Sequence, residues 1–178
     1  MKKFLLLIVA SLFVTGAFAQ DWAVGGRVGA GVQAVGQYSL NQENYIEARF
    51  GLYLVPGAAA DLTGLYNWRL CKWTNWTPKA GTWFFDAGVG ASVGGARGYA
   101  YLGATGMVRF GIKFRKAPVS LSLDYSPVLG LDFIYGGGGG DIYDGEAGVV
   151  TRAGGRRTSV GFFGAGLWNT GITCTYHF

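Results

Sequence analysis

Charged residues, histidine and cysteine are all scarce in this chain of 178 residues. Charged residues make up 14% of the chain, whereas soluble domains average about 25%. His177 is the only histidine, and the two cysteines, Cys71 and Cys174, lie far apart in the sequence. One histidine at the penultimate position, with no nucleophile signature beside it, does not indicate a nucleophile–base pair, and one histidine with two distant cysteines does not form the ligand set of a transition metal. We expect no enzyme, no metal site and no cofactor.

Basic residues are present but do not cluster. The formal net charge is +5, or +3 without Lys2 and Lys3. No stripe of lysine and arginine interleaved with aromatic residues, which is typical of a nucleic-acid-binding surface, occurs in the sequence. We expect no nucleic-acid partner.

Long apolar runs are missing after the first 20 residues, and no later stretch has a helical period. The apolar run 4–14 follows two lysines and precedes Ala17-Phe18-Ala19. This order of features is typical of a cleaved signal peptide and is too short for a spanning helix. We predict a signal peptide over residues 1–19, export from the cytoplasm, and a single domain over residues 20–178.

Alternation of apolar and polar residues fills most of that domain. In VSLSLDY, residues 119–125, apolar side chains at every second position alternate with serine or aspartate. A period of two predicts a strand with one apolar and one polar face. Strands are predicted over 24–30, 34–40, 45–54, 61–70, 82–93, 102–114, 119–125 and 161–178. Turn residues cluster between them at 41–44, 55–59, 71–81, 95–99 and 115–118, and one long segment spans 135–160.

The content of the two strand faces separates a soluble β-protein from a membrane barrel. The apolar faces carry the aromatic residues, which are 16% of the chain, and the polar faces carry small residues with single charges. A lipid-facing exterior around a polar lumen has this distribution, and closure removes unpaired edges from the bilayer. The sequence predicts an all-β fold, an eight-stranded antiparallel up-and-down transmembrane β-barrel. A secreted soluble β-sandwich that binds a ligand is the alternative.

The last strand, GITCTYHF, ends the chain on an apolar face, with Phe178 last and Tyr176 two places before it. This ending resembles the terminal strand of Gram-negative outer-membrane barrels. Together with RKAPVSLSLDYSP (115–127), it makes the chain similar to the small eight-stranded barrels of OmpA/OmpX type. The resemblance implies a monomer in the outer membrane, contact with its lipid, and an assembly signal at Tyr176 and Phe178 that the barrel-assembly machinery reads. It also implies a periplasmic N-terminus and an extracellular 135–160 segment.

Nine charged residues fall on the polar strand faces. Unpaired charges are costly in a narrow lumen, so we interpret these residues as an ion-pair network that fills the barrel. The alternative is a gated pore or proton path, although eight strands enclose little besides side chains. The predicted network consists of Arg27, Glu47, Arg49, Asp61, Arg69, Asp86, Arg109, Lys113 and Asp124.

The long segment 135–160 is the expected partner surface. We predict a structural or adhesion-like role in which this segment meets a surface ligand; the alternative is a narrow channel for small solutes or ions. Its run of five glycines, 136–140, favours a flexible loop over a phosphate cradle. Its acidic residues lack the spacing of a calcium loop, and its arginines favour a solvated flank over a glycolipid-phosphate contact. The acidic residues are Asp132, Asp141, Asp144 and Glu146, and the arginines are Arg152, Arg156 and Arg157.

Four tryptophans, Trp68, Trp73, Trp76 and Trp83, surround the 71–81 turn. They predict an interfacial aromatic girdle, with a carbohydrate platform as the alternative. Cys71 is expected at the start of this turn. Because parity with the last residue turns Cys174 outward, we predict two free thiols rather than a bridge.

Overall fold

A computed structural model of the chain describes residues 21–53, 59–76, 80–96, 99–134, 149–153, 156–163 and 166–178. The regular structure of these residues is almost entirely β, with one short 3-10 turn at Gly166–Trp168. The strands are β1 Trp22–Gly29, β2 Val32–Ser39, β3 Asn44–Tyr53, β4 Ala59–Trp73, β5 Gly81–Ala96, β6 Tyr99–Phe114, β7 Val119–Tyr125, β8 Val128–Ile134, β9 Val149–Ala153, β10 Arg156–Phe163 and β11 Thr170–His177. The predicted all-β class is confirmed.

Eight of these strands close into a barrel. Each strand from β1 to β6 pairs antiparallel with the next, β6 pairs with β7, β7 with β11, and β11 with β1. At the closing seam, Gly26 of β1 lies opposite Cys174 of β11. The backbone amide of Phe178 donates to the carbonyl oxygen of Trp22 at 3.1 Å, which ties the last residue to the first strand. The predicted eight-stranded antiparallel barrel is therefore confirmed, and the two-sheet sandwich is not the fold.

The barrel has two distinct ends. At the end that we call the terminal end lie the start of β1, the end of β11, and the connections 40–43, 74–80 and 115–118. At the far end β1, β3 and β5 finish and β2, β4 and β6 begin. Residues 135–148, between β8 and β9 in the sequence, lie outside the described part of the chain.

Two barrel strands are longer than predicted, and both are interrupted at the same level along the barrel axis. The strand predicted to end at residue 125 resumes after Pro127 as β8, because proline has no amide for the ladder but does not prevent the strand from restarting. The strand predicted over 161–178 is two strands, β10 and β11, separated by the 3-10 turn. The Ser126 amide donates to the Asn169 carbonyl oxygen, and the Asn169 side-chain amide donates to the Ser126 carbonyl oxygen, both at 2.9 Å. We call this pair of contacts the clasp.

Beyond the clasp, the wall continues on one side only. β8 pairs with β6 and with β10, and β10 pairs with β9. Part of the predicted 135–160 loop is therefore strand: the backbone at positions 152, 156 and 157, which carry arginines, lies in β9 and β10 rather than in a loop flank.

The register of β4 and β5 corrects the predicted 71–81 turn. The register shifts between Arg69 and Cys71, so Leu70 is the additional residue of a β-bulge. β4 then continues to Trp73, where it pairs with Trp83 of β5. Cys71 is thus a strand residue and not the first residue of the turn, because the bulge lets the strand run on in a new register. The connection shortens to 74–80.

Candidate functional site

A cluster of five charged side chains fills the middle of the lumen. Each of them has at most 2% of its surface exposed. They lie on four different strands, because inward-facing positions of β1, β3, β6 and β7 meet inside a narrow barrel. The central cluster consists of Arg27, Glu47, Arg49, Arg109 and Asp124.

Glu47 has the most contacts in the central cluster. The Arg109 guanidinium donates to its two carboxylate oxygens at 2.6 and 2.9 Å, and Arg49 Nε donates from the same strand. The Gln37 side-chain amide adds a fourth hydrogen bond at 2.6 Å. Arg49 and Arg109 also approach Asp124, at 3.8 and 3.7 Å. Two arginines are therefore shared between two carboxylates, which links opposite walls of the barrel.

Arg27 connects the central cluster to the clasp. Its Nε donates to Asp124 at 2.7 Å, and its Nη2 donates to the Asn169 side-chain oxygen at 3.1 Å. Arg49 reaches the other half of the clasp by donating to the Ser126 hydroxyl at 3.0 Å. The strand interruptions therefore lie next to the central cluster and are hydrogen-bonded to it.

A second group lies between the central cluster and the terminal end. The Tyr45 hydroxyl donates to Asp86 at 2.8 Å and accepts from Arg109 at 3.1 Å. Arg69 pairs with Asp86 at 3.1 Å, and its guanidinium lies over the rings of Tyr45 and Phe84 at 5.5 and 5.2 Å. The predicted network did not include Tyr45 in this bridging role. The signal was an aromatic hydroxyl two residues before a lumen glutamate.

Asp61 lies apart from these two groups, toward the far end of the barrel. The Gln33 side-chain amide donates to it at 3.2 Å, and the Tyr101 hydroxyl donates at 3.5 Å. Asp61 is buried, and both of these donors are neutral groups. These contacts extend the polar lining of the lumen toward the far end.

Lys113, another predicted network residue, forms no ion pair with a described residue. It lies at the terminal end of β6, beside a cavity of about 240 Å³ that we call the mouth cavity. His177 also borders the mouth cavity, where its Nε2 lies 3.0 Å from the Ser120 hydroxyl. The histidine therefore lies at the lumen edge.

A few buried polar atoms in the lumen have no hydrogen-bond partner among the described residues. They are Arg49 Nη2, Arg109 Nε and both side-chain atoms of Asn67. Asn67 is fully buried. Because such atoms are costly in isolation, they mark the positions where water is most favourable inside the barrel.

The outer surface differs sharply from the lumen. Along β1–β8 and β11, outward positions carry no charged side chain, and large apolar side chains such as Val28, Leu62 and Leu123 are more than half exposed. Within the described residues, no helix is long and apolar enough to cross a membrane.

Aromatic side chains encircle the terminal end on this outer surface. Trp83 stacks on Phe110 with ring centroids 5.2 Å apart, and Trp76 packs edge-on against both. Further contacts around the same end join Trp22 to Tyr38, Tyr66 to Trp68, Trp73 to Trp76 and Tyr176 to Phe178. All four tryptophans of the predicted girdle belong to this aromatic ring.

Some of the remaining predicted features fall on described residues, and others lie outside them. Both cysteines are free and exposed on the outer wall, which confirms the prediction of two unpaired thiols. Asp132 is buried in β8, whereas the five glycines 136–140 and the acidic positions 141, 144 and 146 lie outside the described residues. No group of three or more potential metal ligands occurs in the described part of the chain.

Comparison with known proteins identifies no family for this chain. No protein-family model, no curated protein and no solved structure matches this chain.

Proposed function

We propose that the chain is an outer-membrane β-barrel protein, a monomer with a structural and surface-interaction role. One observation carries this proposal: the outward strand positions are apolar and uncharged while the lumen holds the charged side chains. In water, so large an apolar exterior would drive aggregation, whereas lipid favours it. The closed ring of β1 to β7 with β11 has no unpaired edge that would be exposed to the bilayer.

The dimensions and the aromatic ring support the same environment. A strand crosses a bilayer with about 9–11 residues, and β3 to β6 have 10 to 16. β1 and β2, with 8 residues each, are slightly shorter. Aromatic rings are enriched at membrane interfaces, so the ring around the terminal end favours a girdle over a carbohydrate platform. The resemblance to OmpA/OmpX-type barrels then orients the terminal end toward the periplasm.

The interaction role is proposed for the segment near 135–160. β8, β9 and β10 extend the wall beyond the clasp on one side, and residues 135–148 lie between β8 and β9 in the sequence. The lumen argues against transport as the main role, because the central cluster spans it with side chains that have almost no exposed surface. A narrow channel is the competing function.

Fractionation tests the location. We expect the protein in the outer-membrane fraction and expect its unboiled form to migrate differently from its boiled form, because a closed barrel resists cold detergent. Recovery as a soluble protein without detergent would contradict the proposal.

Thiol accessibility tests the lipid-facing surface more sharply. In a Cys71→Ser background, a water-soluble maleimide should not label Cys174 in vesicles, because this thiol faces outward from the middle of β11. The control is Asn75→Cys in a background without either native cysteine: residue 75 is exposed in the 74–80 connection and should react. Equal labelling of the two positions would refute a lipid-covered wall.

Conductance separates the structural role from the channel. We expect no unitary steps for the wild type in a planar bilayer, because the shared arginines join opposite walls. Steps that the wild type shows and that Arg109→Ala enlarges would favour the channel instead.

A further inference from the structure

The mouth cavity is a polar recess at the terminal end of the barrel. Its volume of about 240 Å³ corresponds to about eight water molecules in the liquid. It opens beside the ends of β4, β6 and β11. Its lining includes four basic side chains, Arg69, Lys72, Arg109 and Lys113, and a single carboxylate, Asp86.

The charges around the mouth cavity are not balanced. Arg69 is neutralised by Asp86, and Arg109, which also borders the cavity, is neutralised by Glu47. Neither lysine forms an ion pair with any residue that the structure describes. The Lys72 ammonium donates to a backbone carbonyl oxygen, that of Gln42, at 3.0 Å, and the Lys113 ammonium is repelled by both Arg69 and Lys72.

Hydroxyl groups complete the lining. Thr82, Ser120, Ser122 and Thr175 border the same cavity as the two lysines. Ser120 and Thr175 share one hydrogen bond at 2.6 Å. Because a hydroxyl rotates to suit its partner, the cavity offers several adjustable donors beside two unneutralised ammonium groups.

We propose that the mouth cavity binds a phosphate group. A phosphate group, with one negative charge as a diester and up to two as a monoester or free ion, is attracted by the two unneutralised lysines and accepts several hydrogen bonds at once. The cavity volume holds the phosphate with part of an organic substituent. The phosphate comes either from a free phosphate compound or from a lipid headgroup at the rim, where the aromatic ring surrounds the same end. The site depends on the barrel mouth and not on membrane location, so its failure and that of the proposed outer-membrane role are separate results.

Calorimetric titration of the full-length folded chain in an uncharged maltoside detergent tests the site. One arm adds inorganic phosphate, and a second arm adds phosphatidylglycerol to the same micelles. Lys113→Gln removes one ammonium from the cavity and should weaken binding about tenfold, the loss expected for one charge-assisted contact. Lys116→Gln is the matched control, because this lysine is exposed in the 115–118 turn and does not border the cavity. Unboiled migration checks that both variants are folded.

The outcomes distinguish the sources of the phosphate. Saturable binding of inorganic phosphate that Lys113→Gln weakens and Lys116→Gln does not supports a free phosphate ligand. The same pattern with phosphatidylglycerol alone supports a lipid headgroup. Absence of binding in both arms overturns the proposal, as does an equal loss in both variants, which would indicate diffuse attraction to a basic surface.

Discussion

Replacing Glu47 with glutamine should strongly destabilise the barrel. The substitution keeps the shape of the side chain but removes the charge that faces Arg49 and Arg109. These arginines would then share Asp124 with Arg27, so the central cluster would contain three cations and one carboxylate. The glutamine NH₂ group would also point a donor at guanidinium donors.

The magnitude follows from the burial of the site. Removal of one partner from a buried ion pair costs about 3–5 kcal/mol, and Glu47 lies at the upper part of this range because it accepts four hydrogen bonds. With a denaturant dependence of about 2 kcal/mol per molar urea, a loss of about 4 kcal/mol lowers the unfolding midpoint by about 2 M.

Urea unfolding of the refolded barrel, followed by tryptophan fluorescence and by unboiled migration, measures this shift. Glu43→Gln is the matched control, because Glu43 is an exposed acid in the 40–43 connection, and a surface substitution changes stability by about 0.5 kcal/mol or less. If the two variants unfold at the same urea concentration, the central cluster does not stabilise the barrel and the reasoning is refuted.

Three further predictions concern the lumen, the C-terminus and the seam. Asp86→Ala and Arg109→Ala should each reduce the free energy of unfolding, and the double variant should lose less than their sum because a tyrosine hydroxyl links them at 2.8 and 3.1 Å; additive losses in urea would show that they are independent. Deletion of Phe178 should reduce the amount of inserted barrel in cells far more than it changes the unfolding midpoint of purified protein, so a normal inserted amount would contradict an assembly role. Gly25→Ala should lower stability by about 1–3 kcal/mol, because its new Cβ would lie 1.9 Å from a backbone oxygen of β11, whereas Gly36→Ala, with no atom within 4 Å, should cost little; equal unfolding midpoints for these two variants would show that the seam can relax.

The strand pattern was accessible from sequence because a barrel wall imposes a strict period of two. The interruptions were less accessible. Ser126-Pro127 predicts the end of a strand, since local chemistry cannot reveal that a ladder resumes beyond a proline. The bulge at Leu70 also has no signature in the local sequence. Without the bulge, the sequence pattern predicts one long turn over residues 71–81.

The lumen residues were predictable as a set but not as pairs. Alternation turns Glu47 and Arg109 inward, yet they meet from β3 and β6 across the lumen, and their pairing depends on the stagger of the closed barrel. Lys113 has the same parity as Arg109, but it lies so close to the terminal end that it has no partner among the described residues. Distance along the barrel axis, which the period of two does not encode, made the difference.

The clasp has a consequence for how this protein can change over time. On the terminal side of the clasp, the ring of β1 to β7 with β11 closes through its own hydrogen-bond ladders, including the seam between β1 and β11. On the far side of the clasp, the strands are joined to this ring through β6. Mutations, insertions and deletions between β8 and β9 therefore act on sequence that the ring does not need for closure. The same separation makes residues 135–148 a suitable position for inserting a foreign peptide while the ring of β1 to β7 with β11 stays closed.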